Sequence, residues 1–180
     1  MGYYIIAIVV VLLVLWFITT QKSLVTRDEM CSNSLSQITV QQSSRWDALT
    51  AIGKQVKKYS DHEYQTLMDV IGKRANLGAN DDVSKINEQE NLITNAVSKI
   101  IALGESYPEL KADTLYIQSM DSINKYEDNV RKARMVYNDC VTRFNALVRG
   151  LPSSIVANYL NFKTKEYLKE EFGKTDMPEM

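Results

Sequence analysis

The pattern of apolar and polar residues divides the chain into one uniformly apolar segment and a long remainder in which apolar residues recur at helical spacing. The apolar segment runs from Tyr3 to Ile18 and contains no charged residue. As a helix, extended slightly at both ends, it approaches the length needed to cross the ~30 Å hydrocarbon core of a bilayer. Tyrosines at one end and Trp16 and Phe17 at the other are typical of the two membrane surfaces. The pattern therefore predicts a permanent membrane anchor over residues 1–21.

Beyond the anchor, apolar residues recur at alternating steps of three and four, the heptad spacing of helices that pack along a seam. This spacing predicts helices over 24–59, continuous with the anchor, over 61–77, 83–103 and 108–149, and a short C-terminal helix over 153–172. The expected fold is all-α: a single N-terminal transmembrane helix followed by an elongated antiparallel bundle of about four long helices plus a short C-terminal helix. Residues 22–172 would form the bundle and residues 173–180 a flexible tail.

Local signals mark the expected helix boundaries. Ser60 with Glu63, and Ser106 with Glu109, have the S-x-x-E spacing of a capping box, in which both side chains bond free backbone N–H groups at a helix start. Glycine at position 104 and the Gly-Leu-Pro sequence at 150–152 are expected to end the third and fourth helices. The short connections predict that successive helices run antiparallel.

Composition narrows the classes of partner. The formal net charge is −1, and the 21 Lys and Arg residues are interspersed with the 22 Asp and Glu residues. The chain has no basic stripe that would suggest a nucleic acid and no polybasic cluster beside the anchor that would suggest recognition of anionic lipid, so its electrostatics does not name a partner. The lipid bilayer is predicted as a partner from the apolar segment alone. Cys31 and Cys140 stand among apolar residues at helical spacing, which is typical of small buried side chains in a reducing compartment.

The basic residues next to the anchor predict its orientation. Lys22 and Arg27 follow the apolar segment, and no Lys or Arg precedes it. Because basic flanks stay on the cytoplasmic side, we expect a single-pass protein of the cell membrane with a short N-terminus outside and the C-terminal domain in the cytoplasm. The absence of basic residues before the segment, and of a small-residue cleavage site after it, argues against a removable signal peptide.

Residues with catalytic potential lack the neighbours that catalysis needs. His62 is the only histidine, and Thr66 stands where the second ligand of an H-E-x-x-H zinc site is required. Gly72-Lys73 lacks the first glycine and the hydroxyl residue of a phosphate-binding loop. Neither cysteine has a histidine in a sequence context suited to nucleophilic catalysis. We therefore predict no catalytic, cofactor-binding or metal site, and a protein that is not an enzyme.

Polar residues inside the heptad seams are the most informative positions, namely Asp28, Gln42, Arg45, Glu90, Glu127 and Arg134. Glu127 and Arg134 lie two turns apart on one helix face, so each needs a partner from another helix or from a neighbouring subunit. One interpretation is an interaction site or a device that fixes helix register. The other is a structural ion network or a stripe partly open to solvent, since polar seam residues most often fix pairing.

The fourth helix carries a spaced set of residues: Glu127, Val130, Arg134, Tyr137, Asn138, Val141 and Asn145, followed by Leu151-Pro152, Ala157 and Phe162. This set resembles the C-terminal signature of the LemA family of bacterial membrane proteins. The segments Tyr107 to Ala112, Arg74-Ala75 and His62-Glu63 agree with it, so the resemblance covers nearly the whole chain, including the anchor. It departs at 44–52, where the family's D-L-I-P-N-L-V segment and its proline are missing. The signature adds Asn138 and Asn145 to the candidate interaction or structural residues.

The resemblance implies a membrane-anchored scaffold or adaptor without enzyme activity. It implies that some relatives act beside a membrane zinc metallopeptidase of the HtpX type in envelope quality control, and that others act in the formation of membrane compartments. Polar heptad seams on a rod that starts in the bilayer also suit self-association. The alternative is a transmembrane signalling or membrane-shaping module with a coiled-coil-like rod, and an enzyme is the third class.

Overall fold

The computed structural model describes residues 2–78 and 81–168, and in these ranges the chain forms six helices and no strand. In chain order the helices are α1 (Gly2–Val56), α2 (Asp61–Ile71), α3 (Val83–Ser106), α4 (Pro108–Lys111), α5 (Thr114–Arg149) and α6 (Ser153–Tyr159). The prediction of an all-α fold with one apolar N-terminal helix is confirmed. The tail predicted at 173–180 lies outside the described residues.

Helix α1 is the axis of the structure. It continues without interruption for 55 residues, a length of about 80 Å at 1.5 Å per residue. Its N-terminal part is long and apolar enough to cross a membrane, and the rest of the protein buries none of that apolar window. From Leu24 onward one face of the same helix is buried, through residues such as Cys31, Ile38 and Leu49. The apolar segment and the first bundle helix are therefore one continuous helix.

Helix α5 lies antiparallel to α1 and provides most of its contacts. Arg45 contacts Glu127, whereas Ser34, nearer the apolar segment, contacts Cys140. Helices α2 and α3 also pack on α1, and α6 packs on both α1 and α5. The apolar segment extends beyond this bundle at one end, which we call the membrane-proximal end.

Two apolar cores follow one another along the bundle. The proximal core, nearer the apolar segment, includes Leu24, Cys31, Leu35, Ile38, Ile86, Val130, Tyr137, Val141, Phe144, Val148 and Val156. The distal core includes Trp46, Leu49, Ile52, Val56, Leu67, Ile71, Ile93, Ile100, Leu110, Tyr116 and Ile123. Both cores take residues from α1, α3 and α5, so the same three helices hold both together. Helix α6 adds to the proximal core, and α2 and α4 add to the distal core.

Helix α2 begins where the sequence predicts and ends earlier. The Oγ atom of Ser60 accepts a hydrogen bond from the backbone N–H of Glu63 at 3.3 Å, so Ser60 is the predicted N-cap. The helix ends at Ile71 instead of Leu77. Gly72 and Lys73 form a turn after it, and residues 74–78 have no regular secondary structure.

Gln89 of α3 binds the backbone just after α2, at Lys73 and Ala75. Its side-chain Oε1 accepts a hydrogen bond from the N–H of Ala75 at 3.0 Å, and its Nε2 donates one to the carbonyl of Lys73 at 3.2 Å. A side-chain amide here supplies the partners that a further helical turn would otherwise supply. Helical periodicity in the sequence does not report such a competing partner.

The predicted fourth helix is divided into α4 and α5. Ser106 is the last residue of α3 and not a cap, because its Oγ donates to the carbonyl of Ala102 at 3.0 Å. Pro108 does begin a helix, but α4 has only four residues. The carboxylate of Asp113 then accepts a hydrogen bond from the N–H of Leu115 at 2.7 Å and caps α5. This aspartate cap starts the long helix anew.

The C-terminal helix predicted over 153–172 is wrong after Tyr159, where α6 ends. Asn161 adopts a φ of 59°, in the left-handed region that asparagine enters more readily than most residues. Residues 162–168 are then extended, and we call them the C-terminal strap. Residues 169–172 lie outside the described part of the chain. Phe162 and Leu168 of the strap pack on the proximal core, whereas Tyr167 is 51% exposed, so a strap that is buried in part gave the spacing of a helix face.

Substitutions at two neighbouring isoleucines of α3 test which face of this helix is buried. Ile100 is 0% exposed in the distal core, whereas Ile101 is 45% exposed. Ile100→Ala is expected to lower the free energy of unfolding by about 2–5 kcal/mol through lost burial and a residual cavity. Ile101→Ala is the matched control and should change it by less than about 1 kcal/mol. Denaturant unfolding of both variants in detergent micelles, followed by circular dichroism, measures the difference, and equal losses would contradict the assigned orientation of α3.

Candidate functional site

The proximal and distal cores are separated by one level of polar side chains. We call it the polar layer and define it as Gln42, Arg45, Glu90 and Glu127. In each long helix these residues lie between a proximal-core and a distal-core residue: Ile38 and Leu49 in α1, Ile86 and Ile93 in α3, and Val130 and Ile123 in α5. The heptad pattern of three helices therefore becomes polar at the same height in the bundle.

Arg45 is the centre of the polar layer and is 1% exposed. One guanidinium nitrogen, Nη1, donates to Oε1 of Glu90, and the other, Nη2, lies 3.5 Å from Oε2 of Glu127. The second oxygen of Glu90 accepts a hydrogen bond from Nε2 of Gln42 at 2.8 Å, and that Nε2 atom also lies 3.1 Å from the carbonyl oxygen of Ile86. One cation from α1 thus meets a carboxylate from α3 and another from α5.

The carboxylates of Glu90 and Glu127 differ in how much they contribute to stability. The side chain of Glu90 is 9% exposed and that of Glu127 is 44% exposed. Water screens the contact to Glu127, so the pair of Arg45 with Glu90 dominates the energetics of the layer. Because an unpaired buried charge is strongly destabilising, the layer disfavours any arrangement that slides Arg45 into an apolar core.

Arg134 is near the polar layer and outside it. It lies two turns beyond Glu127 on α5, toward the membrane-proximal end, and is half-buried. Its Nη2 donates to Oδ1 of Asn87 on α3 at 3.3 Å. The structure thus gives Glu127 and Arg134 partners on two different helices, α1 and α3.

Asn138 and Asn145 lie on α5, where they bind the C-terminal strap. The side-chain amide of Asn145 accepts from the N–H of Lys165 and donates to its carbonyl, both at 2.9 Å. Asn138 makes the same pair of bonds with the N–H and carbonyl of Leu168, both at 3.0 Å. Each asparagine thereby satisfies both backbone groups of one strap residue, as a neighbouring strand would.

The spacing of these two asparagines matches the geometry of the strap. Seven helical residues separate them along α5, a distance of about 10 Å. Three extended residues, from Lys165 to Leu168, also cover about 10 Å. The strap therefore runs antiparallel to α5 with its backbone in register with both amides. This register requires an extended strap, since three helical residues would cover about 5 Å.

Further contacts fix the strap in place. Nζ of Lys165 lies 2.9 Å from Oδ1 of Asp28 on α1, and the hydroxyl of Tyr137 donates to the carbonyl of Glu166 at 3.0 Å. Sequence reasoning missed Lys165, Asp28 as its partner, and Gln89. Their common signal is a single polar side chain at the edge of an apolar helix face, which is too frequent in helices to identify a contact.

The described residues carry little chemical reactivity. Burial, the largest cause, raises the pKa of the Cys31 thiol to about 11, and burial also raises the pKa of Tyr137 to about 12. Both groups are therefore neutral at physiological pH, and Cys31 is not a thiolate nucleophile. His62 is exposed in the first turn of α2. Within residues 2–78 and 81–168, no group of three or more His, Cys, Asp and Glu side chains could hold a metal ion.

The sequence model that describes the LemA family matches residues 34–180 of this chain. The matched range includes the whole polar layer, Arg134 and both strap-binding asparagines, and it begins after the apolar segment. Magnetosome protein MamQ 1 and Magnetosome protein MamQ 2 of Paramagnetospirillum magneticum are each 28% identical to the chain over 105 residues, which are 58% of this chain and 35% of each relative.

Protein LemA of Metamycoplasma hominis is 30% identical over 105 residues, which are 57% of this chain and 48% of that protein. The chain therefore spans between about a third and a half of the length of these curated relatives. The rest of each relative's sequence, more than half of its length, lies outside the matched region.

Removing the cation of the polar layer tests its contribution to stability. Arg45→Met leaves Glu90 buried without its cation and should lower the free energy of unfolding by about 3–5 kcal/mol. Adding Glu90→Met should recover most of that loss, because a buried ion pair can be replaced by apolar residues at little cost. Arg131→Met is the control, since Arg131 is 69% exposed and pairs with Glu127 at 3.7 Å on the surface; it should cost less than about 1 kcal/mol. Equal losses for both single arginine variants in denaturant unfolding would contradict the assignment.

The amide pairing of the strap is tested by Asn145→Asp. The carboxylate cannot donate to the carbonyl of Lys165, and losing a buried hydrogen bond costs about 1–3 kcal/mol. We expect faster amide hydrogen exchange in residues 162–168, measured by mass spectrometry on the full chain. Asn124→Asp, an exposed change on the same helix, is the control. If amide hydrogen exchange in the strap is unchanged in the Asn145→Asp variant, the pairing with Asn145 does not hold the strap on α5.

Proposed function

The chain belongs to the LemA family and is a LemA-type membrane protein, and we propose that it acts as a membrane-anchored, non-enzymatic scaffold that self-associates and holds a partner beside the membrane. The observation that carries this proposal is the continuity of α1 from the apolar segment to the distal core. About 38 residues of α1 lie beyond the apolar segment, a length of roughly 57 Å. A partner bound to the bundle is thereby held within a fixed distance of the bilayer.

The bundle has the mechanical properties that a scaffold needs. Cores on both sides of the polar layer, together with the strap along α5, connect α1 to α5 over most of their shared length. A helix pair connected at several heights resists bending more than an isolated helix does. Its exposed surface offers side chains of both charges along both long helices, which suits recognition of a protein partner.

We propose an HtpX-type membrane metallopeptidase as the partner, with envelope quality control as the process. The support is the resemblance to the LemA family in the signature residues of α5, together with membership of that family. The MamQ relatives are named as magnetosome proteins. That name favours a second candidate function, in which copies of the chain assemble on a membrane and help to shape it.

We further propose that the bundle lies in the cytoplasm. The support is the positive charge of Lys22 and Arg27, which follow the apolar segment directly in α1. An impermeant thiol reagent applied to protoplasts tests this topology in a chain whose native cysteines are replaced by alanine. A cysteine at Ser98, exposed on α3, should react only after permeabilisation, whereas one at Gly2 should react in intact protoplasts. The reverse pattern would place the bundle outside.

Crosslinking of the tagged full chain in cells tests the scaffold proposal. We expect mass spectrometry to recover multimers of the chain together with a membrane metallopeptidase. The control carries residues 1–21 fused to an unrelated helical domain, so it shares the anchor and lacks the bundle. Multimers without the peptidase would favour the membrane-shaping function. Recovery of the chain as a monomer, with the same neighbours as the control, would contradict both.

A further inference from the structure

The membrane-proximal end of the bundle carries an apolar face that the described residues leave open. Leu151, Ile155 and Tyr159 are 83%, 62% and 76% exposed. They are four residues apart, so they line one side of α6 and of the turn before it. The other side of α6 enters the proximal core through Val156 and Ala157, which are 1% and 0% exposed. Helix α6 is therefore apolar on both sides, and the described residues cover only one of them.

The pairing of α1 with α5 gives the height of this face. Sγ of Cys140 lies 3.7 Å from Oγ of Ser34. Because antiparallel helices have the same rise per residue, Arg149, nine residues after Cys140, lies near the height of Val25, nine residues before Ser34. Helix α5 thus ends about 10 Å above Ile18, the last residue of the apolar segment.

Helix α6 continues from there down to the apolar segment itself. The rings of Tyr159 and Phe17 are 6.0 Å apart and cross at 74°, an edge-to-face contact. Trp16 and Phe17 also pack against the proximal core. The headgroup region adds about 5–8 Å on each side of the hydrocarbon core. Since Phe17 belongs to the apolar segment, the Tyr159 end of α6 lies within the headgroup region whenever that segment crosses a bilayer, and Leu151 lies at the outer edge of that region.

The charge of this end complements a lipid surface. Residues 1–27 and 140–165 contain no Asp or Glu and hold six cations: Lys22, Arg27, Arg143, Arg149, Lys163 and Lys165. Contacts of α6 with α1 and α5 bring these two stretches together in space. Arg143 and Lys165 are paired with aspartates, whereas Lys22, Arg149 and Lys163 are exposed. Cations around an apolar patch are the combination that binds at a headgroup boundary.

We propose that Leu151, Ile155 and Tyr159 insert into the headgroup region of the bilayer that α1 crosses, as a second membrane contact of the bundle. This inference depends on α1 crossing the membrane and is independent of the scaffold function. A bundle attached through one helix is free to rotate about that helix. A second contact at α6 fixes the rotation and tilt of the bundle, so that the same surface always faces away from the lipid.

Fluorescence of a single environment-sensitive label tests the insertion. The full chain, with Cys31 and Cys140 replaced by alanine, receives one cysteine at Ile155 or at Leu151 and is labelled with an NBD dye. One copy per lipid nanodisc, in phosphatidylcholine with phosphatidylglycerol, excludes contact with a second copy. Ser98, exposed on α3 beside the distal core, is the control position.

Insertion predicts a blue-shifted emission at both α6 positions and its quenching by lipids that carry a doxyl group near the headgroup. The label at Ser98 should show neither effect. Labels at Ile155 and Leu151 that behave like the label at Ser98 would overturn the proposal. A blue shift that appears only with several copies per disc, without doxyl quenching, would also overturn it, because a second copy would then cover the face.

Discussion

A buried cation in the middle of a helical seam needs an anion at its own height, and Arg45 imposes this requirement on the whole bundle. Glu90 and Glu127 meet it from α3 and α5, while Gln42 satisfies the second oxygen of Glu90. The apolar cores on either side are similar in chemistry, since Leu, Ile and Val at heptad spacing make up most of both. A slip of one heptad would keep apolar residues in contact with apolar residues and would separate the charges. The polar layer therefore distinguishes one register from its neighbours, which apolar packing alone does weakly.

Side-chain amides have a second ordering role in this protein. Gln89, Asn138 and Asn145 each bind both an N–H and a carbonyl of the chain between or after the helices. These segments contain no helix, and their backbone groups would otherwise need water as partner. The amides thereby attach the chain between α2 and α3, and the strap after α6, to the surface of long helices. Because the strap lies along α5, it also returns the chain from the membrane-proximal end toward the polar layer.

The sequence predicted the features that depend on periodicity and failed where a distant side chain competes with the helix. Heptad spacing identified the continuity of α1 and the all-α class, and the S-x-x-E capping box identified the start of α2 at Ser60. The predicted helix ends were wrong at Ile71 and Tyr159, where the chain leaves the helix and its backbone binds amides on α3 and α5. The predicted cap was wrong at Ser106, whose hydroxyl donates to a carbonyl one turn earlier in α3. The sequence indicated which charged residues lie in the seams, but not which of them form ion pairs. The pairing depends on the relative height of two helices, which tertiary packing decides. The sequence identified Lys22 and Arg27 but not their grouping with the cations of residues 140–165, because two distant stretches supply that end.

Distances between spin labels on α1 and α5 test most directly whether the polar layer sets the register. Labels at Asn33 and Asn124, both exposed, would be placed in a chain without its native cysteines and measured by pulsed electron resonance in single-copy nanodiscs. With Arg45 and Glu90 present, the account predicts one narrow distance distribution. With both replaced by Met, it predicts additional distances, because α1 and α5 can then slide by one heptad, about 10 Å. The same single narrow distribution in both proteins would contradict it, because apolar packing alone would then specify the register.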